Sequence, residues 1–223
     1  MCGRSSLHDV PTNILEHFSL PPVLPGFRDR FNISPSQDQW TLAIDRNNAP
    51  VVRARKWGLV PNWASDPSIG ARMINARAES LADKPAWRES LETRRCLILA
   101  DGYYEWSREG KTRRPWFFHL AGNRAFAMAG LWDRWSKRGD SLETCTIITT
   151  EAGPRAAGIH HRMPVLLTLD AASEWLDSRT TAARLIEMLK SYDDPDLERH
   201  EVSRYVNTPA NDSPECIAPV SFL

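Results

Sequence analysis

A chain of 223 residues with 42% hydrophobic residues carries enough apolar material for a sizeable core and is expected to be a folded, soluble globular protein. The formal net charge is zero, which argues against bulk attraction to a polyanion, yet residues 1–165 hold 23 Lys/Arg against 17 Asp/Glu, and residues 166–223 hold 5 against 11. No run of about 18 apolar residues could span a bilayer, no signal peptide opens the chain, and Cys2, Cys96, Cys145 and Cys216 contain no C-x-x-C pair for a disulfide framework or zinc module.

In chain order, Thr12 to Phe18 reads as a short helix, followed by strands over Gln39 to Ile44 and Val51 to Leu59. A helix is expected over Pro85 to Glu92. Strands then dominate: Arg95 to Glu105, Pro115 to Leu120, Ala125 to Trp132, Thr144 to Thr150 and Met163 to Leu169, several of them rich in β-branched and aromatic residues. The segment Ser107 to Lys111 reads as a hairpin turn, with Gly110 supplying positive φ. Helices over Ala171 to Leu176 and Thr181 to Leu189 and a strand over Glu201 to Val206 complete the pattern. Cys96 and Cys145 fall inside apolar strands and read as small buried residues. With no internal repeat and no Gly/Ser-rich linker, one domain over residues 1–223 is expected, α+β in class but β-rich, with a curved sheet or barrel and short flanking helices.

Cys2 stands apart. Initiator methionine is commonly removed before a small residue, and Cys2 then carries both a thiol of pKa about 8.5 and an α-amine of about 7.7 to 8.0. Such a pair reacts with an aldehyde in two stages. The amine condenses to an imine, and the neighbouring thiolate closes a five-membered thiazolidine ring with the large effective molarity of an intramolecular step. Attack of the thiolate on an acyl carbon is the other use of such a cysteine.

Polar residues recur inside apolar surroundings at Met73-Ile74-Asn75-Ala76-Arg77-Ala78-Glu79, Ala100-Asp101-Gly102-Tyr103-Tyr104-Glu105-Trp106, Ile159-His160-His161-Arg162-Met163-Pro164 and Val202-Ser203-Arg204-Tyr205-Val206-Asn207. With Met1-Cys2-Gly3-Arg4, Arg30-Phe31-Asn32-Ile33-Ser34-Pro35, Trp57-Gly58-Leu59-Val60-Pro61 and Ala129-Gly130-Leu131-Trp132, they resemble the SRAP family, named for SOS response-associated peptidases, over nearly the whole chain. Ser5, Leu99 and His161 depart from the family's usual residues.

The resemblance implies a single SRAP domain that traps abasic sites in single-stranded DNA through a thiazolidine crosslink at Cys2. Abasic-site lyase activity and self-processing of Met1 accompany it. Cys2, Asn75, Glu105 and His160 are the implied catalytic residues. His160 can move a proton at the sugar ring oxygen near neutrality. Glu105, beside Trp106, can shuttle protons at the amine and thiol, and Asn75 can orient the Cys2 amine. Arg4, Arg77 and Arg162 are candidate phosphate contacts, Trp63 and Trp106 candidate stacking residues, and Asn32 a further strand contact. No metal or cofactor is expected, and the protein is expected to be a cytoplasmic monomer that joins the nucleoid when bound to DNA.

Three rivals differ in chemistry. A class II glutamine amidotransferase also begins Met-Cys-Gly but needs an Asn-Gly pair, which this sequence lacks. A non-catalytic nucleic-acid-binding module would leave Cys2 idle. A Cys-His protease built on Cys2 and His160 would cleave peptides in trans.

Overall fold

The computed structural model describes residues 2–110, 112–137, 139–190 and 195–220. In chain order its strands are β1 (Ser5–Leu7), β2 (Arg30–Ile33), β3 (Asp38–Ile44), β4 (Pro50–Trp57), β5 (Asn75–Arg77), β6 (Arg95–Ala100) and β7 (Gly102–Glu109). They continue with β8 (Thr112–Leu120), β9 (Phe126–Lys137), β10 (Asp140–Glu151), β11 (Arg162–Pro164), β12 (Leu166–Leu167) and β13 (Leu197–Glu201). Five short helices flank them: α1 (Thr12–His17), α2 (Pro85–Thr93), α3 (Pro154–Ala157), α4 (Leu169–Leu176) and α5 (Ala182–Met188). The expected β-rich α+β class, with a barrel and short helices, is what the chain forms.

The barrel closes through five strands. β10 pairs β4, β4 pairs β3, β3 pairs β6, β6 pairs β9, and β9 returns to β10. β6 is buried at every position, and its Arg-Cys-Leu-Ile-Leu-Ala run fits a strand covered on both faces. β10 owes its extended form to a run of Thr and Ile, whose branched Cβ atoms favour the pleated surface. β5 and β11 add to β10 beyond the ring, and β12 adds to β9. The second sheet runs in the order β13, β8, β7, β1, β2. One core cluster draws on both, with Leu42, Leu97 and Ile147 from the barrel and Tyr103, Phe118 and Leu197 from the other sheet.

Three expected strands are divided or displaced. The expected strand Arg95 to Glu105 divides at Asp101 and serves both sheets, because the buried Asp101 carboxylate accepts from Ser6 Oγ and the His8 and Asp9 amides and turns the chain. Met163 to Leu169 is broken into β11 and β12, and Leu169 opens α4, where the Thr168 side chain caps the Ala171 amide. The expected last strand lies earlier, at β13, and Arg204–Asn207 is instead a 3-10 turn capped by Ser203. β1, β2 and β5, of three or four residues each, are too short to leave a period in the sequence. The β7–β8 hairpin turns where expected, with Gly110 at φ 61°, while Lys111 of that turn lies outside the described residues. No helix among the described residues is long and apolar enough to cross a membrane.

Candidate active site around Cys2

Four separate chain segments converge where the barrel meets the second sheet. Residues 2–4 lead into β1 beside β7, with the Tyr104 amide donating to the Arg4 carbonyl at 3.0 Å. Cys2 is fully buried and its Sγ lies 3.8 Å from the Arg4 carbonyl. Asn75 begins β5 and pairs Ile147 of β10. Its backbone is clamped from behind, since the Ile74 carbonyl accepts from Trp57 Nε1 at 2.7 Å and the Ile147 amide at 3.3 Å. Asn75 Nδ2 then donates to the Cys2 carbonyl at 2.6 Å. The expected contact to the amine is therefore made to the carbonyl of the same residue, and the buried Asn75 Oδ1 has no hydrogen-bond partner among the described residues.

Glu105 sits on β7 opposite Trp116 and is 4% exposed. His160 follows α3, its amide closing a turn onto the Ala156 carbonyl. Its Nδ1 accepts from the Arg162 amide at 3.0 Å, which places the proton of the neutral ring on Nε2. Nδ1 lies 4.0 Å from Glu105 Oε1, and the ring stacks on His161 at 4.4 Å.

The environment sets the protonation of these groups. Burial, reinforced by the Glu105 carboxylate, pushes the Cys2 thiol well up, so the buried sulfur keeps its proton at neutral pH. Burial raises Glu105 to about 7 against the pull of the chain's amino-terminal charge. His160 is lowered, first by burial and then by that same positive charge. Near neutrality a half-protonated carboxyl thus faces a neutral imidazole, which suits proton exchange in both directions.

The residues expected to touch a nucleic acid divide into two groups. Arg77 is exposed, Trp63 is 56% exposed, and Trp106 is half-buried with Nε1 donating to Asn207 Oδ1 at 2.8 Å. Asn32 differs from the expectation. It is fully buried, its Nδ2 donates to the Val206, Thr208 and Asn211 carbonyls, and its Oδ1 accepts from Arg4 at 2.6 Å, so it ties the segment 206–211 to β2 instead of facing solvent. Arg4 is buried in the same knot, bonded also to the Val206 carbonyl and lying 5.9 Å from the Trp106 ring centroid. Arg162 is buried too, forked onto Glu79 at 2.6 and 2.9 Å and onto the Thr149 carbonyl. All three side chains are engaged by protein partners, with Arg4 and Arg162 each 9% exposed.

Tyr103 was not singled out by the sequence reading. It is fully buried and shares its face of β7 with Glu105. The i, i+2 spacing to Glu105 was the available signal. A cleft of about 670 Å³ lies elsewhere and includes none of Cys2, Asn75, Glu105 or His160. Several of its arginines are paired locally, with Arg53, Arg55 and Arg134 sharing Glu143 and Arg94 on Asp133.

Comparison with known proteins places the chain in a family. The model of the family described as SOS response associated peptidase (SRAP) matches residues 1–209. The abasic site processing protein YoqW of Bacillus subtilis is 42% identical over 222 residues, covering 97% of this chain and 99% of that protein. The abasic site processing protein HMCES of Pongo abelii is 31% identical over 283 residues, covering 100% of this chain and 77% of that protein. A crystal structure of a Bacteroides thetaiotaomicron protein superposes with a TM-score of 0.88 at 23% identity, covering 99% of this chain and 100% of that one, and shares the fold. The chain belongs to the SOS response associated peptidase family.

Proposed function

We propose that this chain processes abasic sites in single-stranded DNA by trapping the ring-opened sugar aldehyde on Cys2 once Met1 has been removed. The observation that carries the reading is the meeting of Cys2 with Asn75, Glu105 and His160, drawn from segments up to 158 positions apart, around a terminal residue that bears two nucleophiles. The names of the abasic site processing relatives point to the same substrate.

An abasic deoxyribose rests mainly as a closed hemiacetal. His160 takes the hydroxyl proton and returns one at the ring oxygen, exposing the aldehyde. Asn75 holds the Cys2 carbonyl and offers Oδ1 to an amine N–H, aiming the nitrogen lone pair at the carbonyl carbon. Glu105, raised to about 7, protonates the departing hydroxyl so that it leaves as water when the imine forms, and then accepts the thiol proton for ring closure. Lyase chemistry is the same imine drained by loss of the 3′ phosphate through β-elimination. Arg77 supplies a phosphate contact, and Trp63 and Trp106 supply stacking faces suited to unpaired bases.

A single-stranded oligonucleotide with one abasic site, incubated with the Met1-free chain and run on a denaturing gel after heating, tests the reading. Wild type should give a heat-stable adduct. Cys2→Ser, which keeps the amine and loses the thiol, should give only a borohydride-trappable one. Equal heat-stable adduct from wild type and Cys2→Ala would refute the mechanism.

A further inference from the structure

Side chains of β7 alternate between two surroundings. Tyr104 packs with Phe117, Val202 and Cys216 on one face, and its hydroxyl donates to the Phe31 carbonyl. Tyr103 and Glu105 project from the other face. Tyr103 belongs to the core cluster that also contains Cys2, and its ring stacks on Phe118 with centroids 4.8 Å apart and planes 7° from parallel. It pairs Ser5 across β1, three residues beyond Cys2. The hydroxyl is buried with no hydrogen-bond partner among the described residues. A buried donor left unpaired is disfavoured, and phenylalanine would fill the same stacked space without it. The titratable groups that act on this hydroxyl are the Cys2 thiol, the Glu105 carboxyl and, with opposite sign, the Arg199 guanidinium from β13. Burial first, and then Cys2 and Glu105, hold the phenol protonated. Such a group is a fixed neutral donor and not an acid.

We propose that the Tyr103 hydroxyl is a positioning donor for the Cys2 sulfur, serving it as the thiol gives up its proton to close the thiazolidine ring; the inference rests on the abasic-site reading above. Before this step the amine and aldehyde have lost water to form the imine. The S–H proton then passes to the Glu105 carboxylate, and a sulfur lone pair forms the C–S bond to the imine carbon. The C=N π pair moves to nitrogen, which takes a proton back from Glu105. Tyr103 keeps its O–H throughout, and nothing is oxidised or reduced. Negative charge developing on a buried sulfur has a strong need for a neutral donor, because burial opposes it.

The test separates the two chemical stages in the full Met1-free chain, using an abasic single-stranded oligonucleotide. For Tyr103→Phe, borohydride-trapped imine should form within about twofold of the wild-type rate, while heat-stable ring should form roughly 5- to 10-fold more slowly at pH 7. That gap should persist as the pH rises, because burial keeps the Cys2 thiol protonated and the sulfur still needs a donor as its proton leaves. The variant should melt no lower than wild type, since it loses an unpaired buried hydroxyl. Ring closure equal to wild type at every pH overturns the inference alone, as does an equal loss in both stages, which marks a packing defect. If wild type itself forms no heat-stable ring, the abasic-site reading falls and this inference falls with it. Tyr103→Trp, which keeps an aromatic ring but moves the donor, should close the ring no faster than Tyr103→Phe; full recovery there would assign the effect to ring size.

Discussion

Burial holds a proton on Glu105 up to about pH 7, whereas the unfolded chain releases it near 4.5. Between those values the native state binds more protons than the unfolded state, so this residue makes stability fall as pH rises through the window. The full effect is roughly 3 kcal/mol at most, since each tenfold change in proton affinity is about 1.4 kcal/mol. Glu105→Gln is therefore expected to melt higher than wild type at pH 8 and alike at pH 4, while losing crosslinking by about 100-fold. Thermal melts at the two pH values and adduct yields check both halves; a stability gap that is the same at both pH values would contradict the assignment. Asn32 makes the opposite case, a residue whose polar atoms serve the fold. Asn32→Ala leaves an Arg4 donor and a set of buried carbonyls without their partner and is expected to cost about 1–3 kcal/mol in denaturant melts. DNA affinity per folded molecule should hold.

At the scale of elements, the loop after β4 shows how backbone geometry places Asn75. Gly58 has φ 123°, and a Cβ there would stand 2.6 Å from the Gly70 carbonyl oxygen. Its amide bonds the Cys145 carbonyl, and the next amide bonds the Met73 carbonyl, two residues before Asn75. Gly58→Ala is expected to lose at least about 2 kcal/mol and to impair the reaction beyond its effect on folding, read as adduct yield per folded molecule. Long strands with branched residues, β3 and β10 above all, were legible in the sequence because their pattern runs for seven residues or more. The division of one apolar run into β6 and β7 was not, because it depends on Asp101 meeting amides more than ninety positions away. The candidate site was legible through its motifs alone. Neither spacing nor periodicity brings Cys2, Asn75, Glu105 and His160 together, and the burial of Arg4, Asn32 and Arg162 arises from partners in other segments. Isolated arginines beside a site look alike in sequence whether they face a phosphate or the protein's own carboxylates and carbonyls.

Across the whole molecule, the site belongs to neither sheet alone. β7 and the segment before β1 bring Glu105 and Cys2 from one sheet, while β5 and the residues before β11 bring Asn75 and His160 from the barrel's side. On the proposed reading, a chain of zero formal net charge holds DNA through local contacts. Arg77→Ala is expected to weaken binding of single strands evenly across sequences and to lower the slope of log affinity against log salt by about 0.7, one phosphate's share. Titrations at several salt concentrations check it, and an unchanged slope would remove Arg77 from the interface.

The most direct test of the Cys2 chemistry is intact mass spectrometry of the purified chain before and after an abasic single-stranded oligonucleotide. The expected product is a chain lacking Met1 that gains the mass of the oligonucleotide less one water, with the linkage mapped to Cys2. A chain that keeps Met1 and still takes up the oligonucleotide in full, or a linkage mapped to a lysine, would contradict it.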